Sequence, residues 1–397
     1  MRILISNKFY YPRGGDCVYT INLQKLLEKN GHEVAVFAMQ HAETIDTPYQ
    51  KYFPAEVDFS NKKQFLKTIF RPFGTREVRR KFTQLLNDFQ PEVLHLNNIH
   101  TQLSPVIAKI AHKRGIKVVW TLHDYKLLCP RYDCLKNDKE PCELCFQNKK
   151  FALKNRCMKN SLVGSIITYV EAKKWSRQKL EKYTDTFICP SQFAADKMIS
   201  GGFDKNKIIK LHNFIDTEKI GHNHFEKENY YCYVGRISPE KGIKTLIKAA
   251  STLPYPLKIV GSGELYGKLK TETKNIEFLG LKNWSEIKEI VGKARFFVIP
   301  SEWYENNPLS VIESLCLGTP VLGANIGGIP ELTQTNEMNM TFEMKNAVNL
   351  AEKINTMWQK TTGKDYSNLA KSSQEKFNSE NYYHNLINIY KNEKNIK

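Results

Sequence analysis

No apolar run in these 397 residues approaches the roughly 18 that a helix needs to cross a bilayer. The opening segment Met1-Arg-Ile-Leu-Ile-Ser6 reads as the start of a strand and is too short for a signal peptide, so a cytoplasmic chain is expected. Internal repeats and low-complexity tracts are lacking, which argues against a solenoid and gives no reason to expect disorder. There is no Asp-x-Asp pair of the kind that holds a divalent cation, and no recognised nucleic-acid-binding motif. Acidic residues are few: 41 Asp and Glu stand against 59 Lys and Arg, a net charge of +18. What is present, 41% hydrophobic and 25% charged residues over a length sufficient for two cores, describes a soluble globular protein.

The excess of positive charge lies mainly in one half. Through Phe214, Lys and Arg outnumber Asp and Glu 36 to 20; beyond it the count is 23 to 21. A one-sided excess points to an anionic partner. Two stretches concentrate it. Lys62 to Arg71, continuing to Arg79-Arg-Lys81, mixes cations with Phe65, Leu66, Ile69, Phe70 and Phe73. Lys149, Lys150, Lys154, Arg156 and Lys159 lead into the apolar run Leu162 to Val170. Such segments lie on anionic membrane surfaces, where each basic side chain contributes roughly 1 kcal/mol. They also occur as amphipathic helices packed on their own domain. Nucleic acid is not expected as a partner.

Short apolar runs alternate with helical patterns: Ile3–Ser6, Val34–Ala38, Val93–Leu96, Val118–Leu122 and Phe187–Cys189, then Tyr231–Val234, Leu257–Val260, Phe296–Ile299 and Pro320–Leu322. This alternation predicts an α/β protein of two doubly wound, Rossmann-like domains, with ligand sites at strand carboxyl ends in a cleft between them. The polar stretch after Leu211 reads as the junction. The expected division is residues 1–214, carrying a Cys-rich insertion at about 129–157, then residues 215–380, then a terminal helix in 381–397.

The most informative segment follows the run Arg295 to Pro300. Pro308 has a fixed φ and no N–H, which suits the first turn of a helix; Leu309–Leu317 should be helical, with Glu305, Asn306 and Asn307 before it. The unpaired amides of a helix start attract an anion. Glu305 and Glu313 bracket that start eight residues apart. A carboxylate beside a phosphate is repelled unless it accepts hydroxyl protons, and sugars and riboses supply them, so the pattern suits a sugar nucleotide. A solvent-facing Glu305 and a Glu313 stabilised by the helix dipole would give the same letters. Upstream, the strand ending at Gly235 leads into Arg236-Ile-Ser-Pro-Glu-Lys-Gly242, where Arg236 can grip a pyrophosphate in fork geometry and Lys241 adds a point charge. A charged surface turn reads similarly.

In the first half, Gly14-Gly15 falls between a strand and its helix, where absent β-carbons let amides approach a ligand. His123 follows the strand Lys117–Thr121, at a carboxyl end; paired with Asp124 it also fits an ordinary loop hydrogen bond. Five of the nine cysteines, Cys129, Cys134, Cys142, Cys145 and Cys157, crowd into 29 positions. The spacing Cys142-x-x-Cys145 lets two thiolates share a tetrahedral zinc, with Cys157 and either Cys134 or Cys129 completing four sulfurs. Free thiols are the alternative in a reducing compartment.

Together, Gly235-Arg236, Lys241-Gly242, Ile259-Val-Gly-Ser-Gly-Glu264, Phe278-Leu-Gly280 and the Glu305/Glu313 pair resemble the C-terminal half of the retaining family 4 glycosyltransferases of the GT-B fold, polysaccharide-biosynthesis type. Tyr11-Pro-Arg-Gly-Gly15, Val93-Leu-His-Leu96, Thr121-Leu-His-Asp124 and Pro190-Ser-Gln-Phe193 echo its N-terminal half. The resemblance implies a nucleotide-sugar donor, UDP before GDP, held in the second domain. It also implies a glycan acceptor and a terminal helix crossing back to the first domain; that the acceptor is carried on polyprenyl diphosphate, for surface polysaccharide such as lipopolysaccharide or capsule, is expected from the basic first domain and not from a motif. Its site residues map as follows. His123 meets the donor sugar, Glu305 its hydroxyls and Glu313 the ribose, while Arg236 and Lys241 neutralise the diphosphate. Gly14, Gly15, Gly263, Glu264, Leu279 and Asn306 to Leu309 line the donor, and Arg13, Asp16, Tyr125 and Arg131 stand on the acceptor side. No cofactor is expected for catalysis, and the chain would sit peripherally on the inner face of the cell membrane. A sugar-nucleotide 2-epimerase and a catalytically silent carbohydrate-binding protein share this architecture as alternatives.

Overall fold

Runs of β-branched and aromatic residues that are apolar throughout can satisfy their backbone only in a sheet covered on both faces, and here they do. The structure, a computed structural model, describes residues 1–57, 65–136, 140–221, 225–269, 274–334, 336–364 and 366–392. The strands in chain order are β1 (Arg2–Ser6), β2 (Glu33–Phe37), β3 (Val93–Leu96), β4 (Lys117–Thr121), β5 (Leu135–Lys136), β6 (Glu140–Pro141), β7 (Thr186–Cys189), β8 (Ile208–Lys210), β9 (Tyr231–Val234), β10 (Leu257–Val260), β11 (Ile276–Gly280), β12 (Phe297–Ile299), β13 (Val321–Ala324) and β14 (Met340–Phe342). They form two six-stranded parallel sheets and one small antiparallel pair, β5 with β6.

The first compact unit comprises Met1–Cys134, Cys142–Leu211 and Tyr383–Lys397. Its sheet runs β2-β1-β3-β4-β7-β8, so the order reverses between β1 and β3. Phe37, Phe82, Trp120 and Phe187 are fully buried in it. Residues from Tyr383 onward belong to this unit. Tyr390 Oη lies 2.5 Å from Nδ1 of the fully buried His95, Tyr383 Oη lies 2.8 Å from His32 Nε2, and Lys117 Nζ donates to the carbonyl of Tyr390 at 2.9 Å.

The second unit comprises Leu135–Pro141 and His212–Tyr382. Its sheet runs β11-β10-β9-β12-β13-β14, the doubly wound order in which two halves diverge from adjacent central strands, here β9 and β12. Tyr231 stacks on Phe296 at 5.0 Å in a core shared with Leu246, Ile259, Val298 and Leu315. The helix expected over Leu309–Leu317 runs Leu309–Cys316, and Pro308 caps it with extended backbone (ψ 119°) instead of entering its first turn.

Two glycines hold the loops after the central strands together. Gly242 has φ +69°, and a β-carbon there would sit 1.8 Å from the Pro300 carbonyl oxygen. Gly261 has φ +132°, and its β-carbon would sit 2.0 Å from the Gly235 oxygen. Gly261→Ala should therefore destabilise by about 2–4 kcal/mol and lower Tm by at least about 5 °C, as read by calorimetry. Gly267→Ala, which meets nothing within 4 Å, serves as the neutral control.

Candidate functional site

In the second unit the sheet opens between β9 and β12, so the loops leaving their carboxyl ends diverge and expose backbone groups there. These are the loops that carry Arg236–Gly242 and Pro300–Pro308. Lys241 ends a short 3-10 turn, Pro239–Lys241, and its Nζ lies 2.7 Å from Glu305 Oε1 and 4.9 Å from the centre of the Trp303 ring. The same carboxylate oxygen accepts from Ser301 Oγ at 2.6 Å and Trp303 Nε1 at 2.8 Å. Glu305 is only 6% exposed. Burial pushes its pKa up, but the Lys241 charge and the three hydrogen bonds outweigh that and hold it below the usual carboxylate range. Its own carbonyl accepts from Gly328 N at 2.7 Å, which ties the loop after β13 to the same point.

Arg236 is 59% exposed at the side chain, with Nη2 2.7 Å from Glu240 Oε1. Glu240 also accepts from Ser238 Oγ at 2.7 Å. Asn307 is buried and accepts two 2.8 Å bonds, its side-chain oxygen from Asn213 N and its carbonyl from Asn213 Nδ2, and its Nδ2 reaches His212 Nδ1 at 3.2 Å. His212 Nε2 in turn lies 3.3 Å from Glu331. Asn306 is buried beside it. Glu313, inside the helix that Pro308 caps, is partly buried, and desolvation pushes its carboxyl up to about 7. Gly263 backs onto the Ile237 carbonyl, Glu264 is exposed and Leu279 lies in β11, half-buried.

In the first unit, the reversal between β1 and β3 brings together the loop after β1 and the ends of β3 and β4. Gly14 precedes the helix Gly15–Lys29, and a β-carbon on Gly15 would meet nothing within 4 Å. Asp16 accepts from Asn98 Nδ2 at 3.1 Å. His123 Nε2 lies 2.9 Å from the Asn97 side-chain oxygen, and its ring packs edge-on against Tyr19 at 4.6 Å. Desolvation lowers its pKa to about 4, so near neutrality the ring is uncharged, with the Nε2 proton given to Asn97 and Nδ1 left as an acceptor. An uncharged ring positions a hydroxyl.

Tyr125 is 4% exposed and packed edge-on to Phe193, and Arg131 is engaged with Asp133 at 2.8 Å and the Cys157 carbonyl at 2.9 Å. Arg13 is exposed and stacks over Phe9 at 4.1 Å. Among the cysteines, Cys129, Cys134, Cys145 and Cys157 are buried and Cys142 is partly exposed, and the neighbouring Cys134 and Cys145 thiols hold the Cys129 pKa well below the usual thiol range. Lys62 and Lys63 lie outside the described residues.

Sequence reasoning missed Ser301, Trp303, Asn97 and Asn98. Trp303 was the findable one, a tryptophan inside the Glu-rich loop with an N–H to place. Two doubly wound domains with these sites define a GT-B protein. The solved structure of Anabaena HepE in complex with UDP is similar over 99% of this chain and 100% of that one, with TM-score 0.68 and 16% identity. Residues 13–219, more than half of the chain, match the family model of Glycosyltransferase Family 4, and residues 214–376 match that of Glycosyl transferases group 1. The chain belongs to Glycosyltransferase Family 4. Among curated relatives, the uncharacterized glycosyltransferase MJ1178 of Methanocaldococcus jannaschii is 28% identical over 47% of this chain and 55% of its own length. The amylovoran biosynthesis glycosyltransferase AmsK of Erwinia amylovora is 25% identical over 42% and 46%. The chain thus spans about half the length of the curated relatives it matches.

Proposed function

We propose that this protein is a retaining glycosyltransferase that moves a sugar from a nucleoside diphosphate sugar, a UDP-sugar before a GDP-sugar, to a glycan acceptor carried on polyprenyl diphosphate. The observation that carries it is the Lys241–Glu305 pair at the carboxyl ends of β9 and β12, the point where a doubly wound sheet takes its ligand. A buried carboxylate kept ionised next to a cation is a hydroxyl acceptor adjoining a phosphate donor, which is the chemistry a sugar diphosphate requires. UDP in the HepE complex and the polysaccharide pathway named for AmsK support the donor and acceptor class.

In this reading Arg236 and Lys241 neutralise the diphosphate as it leaves, and the leaving phosphate takes the acceptor proton. Glu305 holds donor-sugar hydroxyls, Glu313 the ribose, and Nδ1 of His123 a sugar hydroxyl. No covalent nucleophile is needed. The two cations serve the diphosphate, so turnover should persist in a chelator. A thermal-shift screen of UDP-, GDP- and ADP-sugars tests the donor. A ligand at 100 times its Kd stabilises by about 2.7 kcal/mol, so a UDP-sugar should raise Tm measurably. No shift with any sugar nucleotide at saturation overturns the proposal. Release of a free UDP-sugar epimer without acceptor would make the chain an epimerase.

A further inference from the structure

The helix Leu162–Lys174 is turned the wrong way round for a soluble protein. Helices normally point apolar residues at the core and polar ones at water. Here Ser165, Thr168 and Glu171 are buried, while Leu162, Val163, Ile166 and Val170 are 48%, 49%, 42% and 45% exposed. Positions 162, 166 and 170 are spaced by four, so the aliphatic side chains form one row along the outer face. The inward polar groups have partners: Met158 N donates to Ser165 Oγ at 3.1 Å, Thr168 Oγ1 donates to the Gly164 carbonyl at 3.1 Å, and Glu171 Oε2 forms an ion pair with Lys126 Nζ at 2.9 Å. The orientation is therefore held by specific bonds.

Another exposed apolar side chain lies near the end of the helix. At its carboxyl end, Lys174 Nζ and Trp175 Nε1 donate to the carbonyls of Phe73 and Pro72 at 3.0 and 3.1 Å. That fastens the turn Arg71–Phe73 to the helix, and Phe70, which immediately precedes the turn, is 60% exposed. The two basic, aromatic-rich stretches that the sequence shows separately are thus joined. Exposed cations flank the row, Lys154, Arg156 and Lys159 before the helix and Lys173 in its last turn. Between Lys149 and Lys174 the one acidic residue is Glu171, and it is buried in its pair with Lys126.

We propose that this face docks on an anionic lipid surface, with Leu162, Val163, Ile166, Val170 and Phe70 entering the acyl boundary and the flanking cations meeting lipid phosphates. A polyanion such as nucleic acid would use the cations but leave the aliphatic row in water. The uninterrupted aliphatic row flanked by cations matches an interfacial helix. Among the described residues no helix is long and apolar enough to cross a membrane, so the contact is a surface one. The inference stands on this face alone and is independent of the donor proposal.

Co-sedimentation of the full chain with vesicles tests it, using phosphatidylcholine alone and phosphatidylcholine mixed with phosphatidylglycerol. The protein should pellet with the anionic vesicles, less so as salt rises, and weakly with the neutral ones. The double variant Ile166→Gln/Val170→Gln should lose at least about tenfold in partitioning with unchanged Tm, because both side chains already face water. Lys154→Gln/Lys159→Gln should lose the preference for anionic vesicles. Protein that stays in the supernatant, or an apolar variant that binds as well as the parent, overturns the proposal. So does a dimer in solution that the apolar variant dissociates, since the face would then belong to a second copy.

Discussion

Replacing Lys241 by methionine is expected to lower kcat/KM by about 10²–10³, the scale for removing one preorganised group from a developing charge. It should also destabilise the fold, because Glu305, 8% exposed at the side chain, would keep a negative charge with its cation gone. Breaking a buried pair costs about 3–5 kcal/mol, but Lys241 is 21% exposed and Ser301 and Trp303 still donate, so about 2 kcal/mol is the expected loss. The two effects separate in the double variant Lys241→Met/Glu305→Gln. Removing both charges should restore Tm to near the parent value and leave activity at or below that of the single variant. A double variant that regains activity would mean the pair is structural and the donor site lies elsewhere.

Glu313→Gln should move stability and function in opposite directions. The ordinary carboxyl value is 4.5 and burial raises Glu313 to about 7, a gap worth about 3 kcal/mol. The sign follows from which state ionises first. Below pH 4.5 the group is protonated folded or unfolded and costs nothing; above it the unfolded chain ionises while the folded one lags, so stability falls until the full cost is reached above about pH 7. The glutamine variant carries no such cost. Its Tm should match the parent near pH 4 and exceed it at pH 8, while its affinity for a UDP-sugar falls by roughly tenfold through loss of a charged hydroxyl acceptor. Equal pH dependence in the two proteins would show that Glu313 is not desolvated. Unchanged donor affinity would remove it from the ribose.

The fold was largely legible because strands buried on both faces read as continuous apolar runs, and nine were placed within a residue or two of their positions. Those that escaped carry weaker signals: β5 and β6 are two residues each, β8 and β14 are three residues long and sit at sheet edges, and β11, at the opposite edge of its sheet from β14, is mostly half-buried. The site was legible as residue types and less so as geometry. The sequence offered Lys241 to a phosphate and Glu305 to a sugar, but not that each is the other's partner, since a 64-residue separation conceals a 2.7 Å contact made by two adjacent strands. The surroundings of Tyr125 and Arg131 were not legible, because a loop residue's exposure depends on what folds over it, here Phe193 and Asp133. The run Leu162–Val170 reads either as a membrane-surface segment or as an amphipathic helix packed on its own domain; only the burial of Ser165, Thr168 and Glu171 shows that its apolar row points outward.

The bond between His95 and Tyr390 joins residues 295 positions apart within one compact unit. A ribosome adding about 5–20 residues per second needs roughly 15–60 s to deliver the second partner after the first. During that interval the buried imidazole lacks its hydroxyl and Lys117 lacks its carbonyls, so the first unit to be translated is the last to be finished. The nascent chain must therefore wait, unsealed along that edge, while its second unit is made.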